Sequence, residues 1–176
     1  MIFRKLLVTL IVILLLTGCE IATLNTTPLT SDTGTLWIEG IYHDHNGSKL
    51  SDPQPQAGKF LQVEQAGFVV SNQQVAYYVK TRVIEEPSHT CHIKAEYQNP
   101  LNENKPITSD MTFEPYFNAL TFKSPAGITG IRYNQLYTIK LSIYPTQDSD
   151  IPIDSITQKV RAYVDTTRDE IRVVSH

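Results

Sequence analysis

Nine residues, Leu136–Tyr144, alternate without interruption: Tyr137, Ile139, Leu141 and Ile143 fall on one side, Thr138, Lys140 and Ser142 on the other. Two residues is the period of a strand, whose successive side chains point to opposite faces. An apolar–polar alternation is what a sheet with one buried face requires. The rhythm recurs along the chain. Residues 36–43 set Leu36, Ile38 and Tyr42 against Trp37, Ile41 and His43, and 59–65 is a further run. Residues 75–84 place Val75, Tyr77, Val79, Thr81 and Val83 on one face, and 92–97 set Ile93, Ala95 and Tyr97 against His92, Lys94 and Glu96. Ala119–Lys123 is shorter, and 158–164 alternate Val160, Ala162 and Val164 with Lys159, Arg161 and Tyr163. The run 170–174 follows the polar corner 165–169, which predicts a closing hairpin.

About eight β-branched, tyrosine-rich strands separated by Pro- and Gly-bearing connections predict an all-β fold. The expectation is a single-domain β-sandwich, immunoglobulin-like or transthyretin-like, with a barrel also compatible. Helix is expected at most as a turn near 153–157 or 113–118. The connections 99–109 and 124–134 are long, and long connections carry function more often than framework does.

The amino terminus is of a different kind. Arg4 and Lys5 precede residues 6–16, which are apolar except for Thr9. Eleven residues match the hydrophobic region of a secretory signal and fall short of the roughly 20 that a spanning helix needs. The run ends Leu16-Thr17-Gly18-Cys19, which resembles the lipobox of bacterial lipoproteins. That resemblance covers residues 1–20 only. It implies cleavage before Cys19, a diacylglyceryl group on its sulfur and an acylated new amino terminus. Two or more acyl chains hold firmly where one holds marginally. In such lipoproteins an Asp after the cysteine often retains the protein in the inner membrane. Glu20 stands here, which implies the outer membrane, periplasm-facing rather than surface-exposed.

The expected layout is a signal peptide at 1–18, the lipidated Cys19 with a flexible tether at 19–33, and the sandwich at 34–176. Cleavage leaves 176 − 18 = 158 residues, enough for one domain with its own core. Loss of Arg4 and Lys5 takes 15 basic residues to 13 against 18 acidic ones, a net −5, which points away from nucleic acid as a partner. Lipidation of Cys19 leaves Cys91 as the one thiol, so no intramolecular disulfide is expected.

Two His-bearing clusters, Tyr42-His43-Asp44-His45 and His89-Thr90-Cys91-His92, contain ligand types suited to zinc or copper. His43 and His45, two apart on a strand, project to one face. Against chelation, His45-Asn46-Gly47-Ser48 reads as a strand end and turn. Cys91 shares parity with Ile93, Ala95 and Tyr97, which makes it a small buried hydrophobe. A periplasm-facing metal-binding lipoprotein using His43, His45, His89 and Cys91 is therefore the second reading, and no cofactor is expected in the first. Asp148, Asp150 and Asp154 lack the glycine and terminal glutamate of a calcium loop. G-x-S-x-G, S-x-x-K and H-E-x-x-H motifs are absent from the sequence, and no enzymatic activity is expected. Tyr116, Phe117 and Tyr133 lie in or beside long connections, where large rings serve as binding anchors or fold over the core.

The first reading is thus an outer-membrane lipoprotein acting as a binding or scaffold subunit of an envelope complex, with an envelope protein as partner. Type VI secretion systems use a transthyretin-like outer-membrane lipoprotein of similar layout, a likeness of architecture and not of motif. Cys19→Ala should shift the protein from the membrane to the soluble fraction. Mass analysis of the native amino-terminal peptide should find acyl chains on Cys19, and an unmodified thiol there would refute the assignment.

Overall fold

Two aromatic rings from separate alternating runs, Tyr77 and Tyr137, meet at 6.3 Å between centroids, and the two sheets close around them. The computed structural model describes residues 53–168 and 171–174, together with the strand segments 26–28, 35–37, 42–43 and 49–50. In chain order the strands are β1 Thr26–Pro28, β2 Thr35–Trp37, β3 Tyr42–His43, β4 Lys49–Leu50, β5 Leu61–Ser71, β6 Gln74–Val83 and β7 Cys91–Tyr97. They continue with β8 Ile107–Phe113, β9 Ala119–Lys123, β10 Leu136–Tyr144, β11 Asp154–Arg161, β12 Val164–Asp165 and β13 Arg172–Val174. One sheet has the order β2-β5-β6-β9 and the other β11-β10-β7-β8, all antiparallel. The fold is a β-sandwich, and no residue described is helical.

The strand order decides between the two expected topologies. A hairpin, β5–β6, is joined in its sheet by a later strand, β9, while β7 and β8 cross to the other sheet beside β10 and β11. This order fits an immunoglobulin-like arrangement, with one departure from the constant-type form: the fourth strand of the series from β5, β8, pairs with the third and does not return to the first sheet. A second mark of that architecture is present. The Tyr137 hydroxyl, at the start of β10, accepts a hydrogen bond of 2.8 Å from the backbone N–H of Arg132, five residues upstream.

Inner faces fill the space between the sheets in zones. Phe68 and Tyr77 of one sheet meet Tyr97 and Tyr137 of the other, with Phe68–Tyr77 at 4.6 Å and Tyr77–Tyr97 stacked at 5.4 Å. Ile93, Ile139, Leu141 and Ile143 supply the aliphatic middle, all essentially without exposure. Phe60 and Phe113 close the opposite zone in an edge-on pair at 6.5 Å. Each buried hydroxyl of the aromatic zone is bonded: Tyr77 donates to the Gln98 carbonyl at 2.7 Å, and Tyr97 pairs with the Ser109 hydroxyl at 3.0 Å. That matters because an unpartnered buried hydroxyl would cost about 1–3 kcal/mol.

The observed strands differ from the expected ones at identifiable points. Leu136–Tyr144 and Ala119–Lys123 are strands as read. β8 begins inside the connection expected at 99–109, overlapping it at 107–109, and 153–157, expected at most as a helical turn, contributes the start of β11. At 113–118 the chain ends β8 and makes a turn, with the Phe117 N–H donating to the Glu114 carbonyl at 3.1 Å. The run 36–43 contributes to two different strands, β2 and β3. Tyr163, expected opposite Val160, Ala162 and Val164, is 1% exposed and buried along with them, in the two-residue break between the end of β11 at Arg161 and the start of β12. The connection 124–134 is framework: it carries the chain between sheets, with Gly127 and Ile128 N–H groups bonded to the Val75 carbonyl and buried Ile131 bonded to Thr166. The expected closing hairpin is the antiparallel β12–β13 pair. Within the segment read as tether, Thr26–Pro28 pairs with β13.

Tyr137→Phe should lower the unfolding free energy by about 1–2 kcal/mol in urea titrations, since it leaves the Arg132 N–H without its acceptor. Burial pushes Tyr77, Tyr97 and Tyr137 above the ordinary tyrosine range. Their folded pKa values exceed the unfolded value of about 10, so the stability held by the neutral forms is complete below that pH and is lost as pH rises above it. On alkaline titration the phenolate absorbance of these buried tyrosines should appear together with the change in circular dichroism, after that of exposed rings such as Tyr116.

Candidate functional site

Antiparallel connectivity sorts the connections to two ends of the sandwich. The β6–β7, β8–β9 and β10–β11 connections, residues 84–90, 114–118 and 145–153, lie at one end with the start of β5. We call this the loop end. The β5–β6, β7–β8 and β9–β10 connections lie at the other. Large apolar side chains that remain exposed are unevenly divided: Ile84 (46%), Tyr116 (73%), Ile151 (78%) and Ile153 (44%) are at the loop end, against Leu101 and Leu136 at the other. Scattered exposed hydrophobics are ordinary, and among the described residues four of the six large ones fall on these three connections.

Hydrogen bonds tie two of those connections together and fasten the strand starts beside them. The Thr90 hydroxyl donates to the Glu114 carboxylate at 2.6 Å, tying 84–90 to 114–118. Ile84 N–H donates to the Phe60 carbonyl at 2.8 Å. The Asp154 carboxylate accepts from the N–H groups of Lys59 at 2.8 Å and Phe60 at 3.1 Å, fastening the start of β11 to the start of β5. Gly58 has no room for a side chain there, because a Cβ would run into that carboxylate. Tyr116 packs edge-on against Phe117 at 5.0 Å, and Phe117 in turn leans on the core. Tyr116 is thus held up by its neighbour while its own ring stays in solvent.

The residues singled out from sequence separate accordingly. Tyr116 and Phe117 share the loop end. Tyr133 lies at the opposite end, half-buried, with its N–H donating to Asp165 at 3.4 Å and burial pushing its phenol upward. Cys91 is 2% exposed and donates to the His89 carbonyl at 3.4 Å; burial pushes its thiol up. His89 is exposed and bonds Ser88 at 3.0 Å. His43 lies in β3, but its side chain, like all of His45 and Cys19, falls outside the described residues. No group of three or more His, Cys, Asp or Glu able to hold a metal occurs among the described residues. Asp154 spends its carboxylate on backbone N–H groups. His92, left aside at the sequence level, pairs with Asp110 at 3.1 Å on the outer face of its sheet.

Sequence reasoning missed Ile84, Ile151 and Ile153 as companions of Tyr116. The available signal was an apolar residue beside proline in an otherwise polar stretch, as in Ile151-Pro152-Ile153. Comparison with protein families, with characterised proteins and with solved structures finds no match for this chain.

Tyr116→Ala and Ile151→Ala should each leave the urea unfolding free energy within about 0.5 kcal/mol of the parent, because neither ring nor chain is buried. Asp154→Ala should cost about 1–2 kcal/mol through its two strand-start hydrogen bonds. A large loss from Tyr116→Ala would mean that the ring is structural.

Proposed function

We propose that the chain is a lipid-anchored binding subunit of the bacterial outer membrane, in which the sandwich is a spacer between an acylated amino terminus and the loop end. The observation that carries the reading is the gathering of Ile84, Tyr116, Ile151 and Ile153 at one end. Its geometry relative to the chain start supports it. β2 runs antiparallel to β5 with Thr35 opposite Val70, so the chain joins its sheet from the end opposite the loops. The β1–β13 pairing, beside β12 at the end of the β11 path, lies on that same side. β5 spans 11 residues, or about 35 Å at strand rise, which is the distance between the loop end and the end at which β2 enters the sheet. A diffusing small molecule makes no use of such an arrangement, whereas a second envelope protein does. The fold alone does not name a function, so the reading rests on the surface and the lipobox.

Cross-linking of intact cells followed by mass spectrometry should recover a membrane-bound or anchored envelope protein joined to this chain. Recovery of the chain in a lipidated form with no protein neighbour at any cross-linker length would sink the reading.

A further inference from the structure

The loop end has a charge as well as an apolar surface. Its three connections contain five carboxylates, Glu85, Glu86, Glu114, Asp148 and Asp150, and no Lys or Arg. Two are engaged: Glu85 with Lys59 at 3.2 Å, and Glu114 with Thr90. Glu86, Asp148 and Asp150 are exposed and unpaired among the described residues. At the far end the stretches 98–106, 124–135 and 162–171 mix both signs, with Lys105, Arg132 and Arg168 against Glu103, Asp165, Asp169 and Glu170. The loop end differs in having carboxylates without Lys or Arg in its three connections, and it lies opposite the end at which β2 enters its sheet.

Resting on the anchored-binding reading above, we infer that the loop end docks a protein whose contact surface is apolar at its centre and ringed by Lys and Arg. Charge complementarity selects that occupant. An anionic bilayer is repelled by Glu86, Asp148 and Asp150, and two copies meeting loop end to loop end would oppose like charges. Tyr116, standing clear of the body on Phe117, is the anchor ring, the role large aromatics take at interface centres. Ile84, Ile151 and Ile153 extend the dry contact, and the carboxylates set the approach and the choice of partner.

The test places a photo-cross-linking amino acid at position 116 of the full chain in cells, with position 101 as control; Leu101 is 72% exposed but lies at the opposite end. The expected result is a single protein adduct from 116 and none from 101. The cross-linked peptide of the partner should contain apolar residues flanked by Lys or Arg. Glu86→Lys, Asp148→Lys and Asp150→Lys together should reduce adduct yield about tenfold, since each exposed pair contributes modestly and the three act in one direction. Adducts confined to lipid, an adduct with a second copy of this chain, yield unchanged by charge reversal, or no adduct from 116 would each overturn the inference. The two readings fail separately. An unlipidated chain that still gives the charge-dependent adduct removes the anchor and keeps the docking surface; a lipidated chain that cross-links to an envelope protein elsewhere but gives no adduct from 116 does the reverse.

Discussion

The Tyr137 hydroxyl fixes the point at which the chain leaves one sheet and starts the other. Its acceptance of the Arg132 N–H closes the crossover 124–135 onto the first turn of β10. The ring below that hydroxyl stands 5.7 Å from Phe68 and 6.3 Å from Tyr77, both in the facing sheet. One side chain thus joins the inter-sheet contact to the connection that makes the topology. The crossover is held from its other side as well: Thr166 bonds Ile131 in both directions, and the Asn134 N–H reaches the Ala162 carbonyl. Displace the ring and the register of β10 is lost, and with it the partners of β7 and β11.

Everything at the loop end is downstream of that register. Residues 84–90, 114–118 and 145–153 are far apart in the chain and become neighbours only because β7 crosses sheets and β10 returns between β7 and β11. Tyr116 was legible as a candidate because an aromatic pair in a turn is visible locally. Ile84, Ile151 and Ile153 were not, because their meaning lies in a three-dimensional grouping that no local window contains.

Strand legibility follows a similar logic. β10 alternates with a fully apolar inner face, and its bounds were read correctly. β8 alternates too, but its inner positions are Ile107, Ser109, Met111 and Phe113, and Ser109 interrupts the apolar set. That interruption is explained by the Tyr97 hydroxyl, which uses Ser109 as its partner. The β5–β6 turn was hidden by its composition. Asn72 and Gln73 both adopt positive φ, at 49° and 55°, the geometry of a two-residue hairpin turn that Asn-Gly would have advertised. The second half of β5 was obscured by Gly67 and by the register shift between Val63 and Gln65.

Burial of Cys91 has a consequence for its reactivity. Behind β7 its sulfur is out of reach of oxidants and of other proteins' thiols, and burial further depletes the reactive thiolate. The sandwich thereby acts as its own protecting group for that thiol. A buried sulfur of this kind also serves as a clock: its rate of alkylation counts how often β7 parts from the facing sheet.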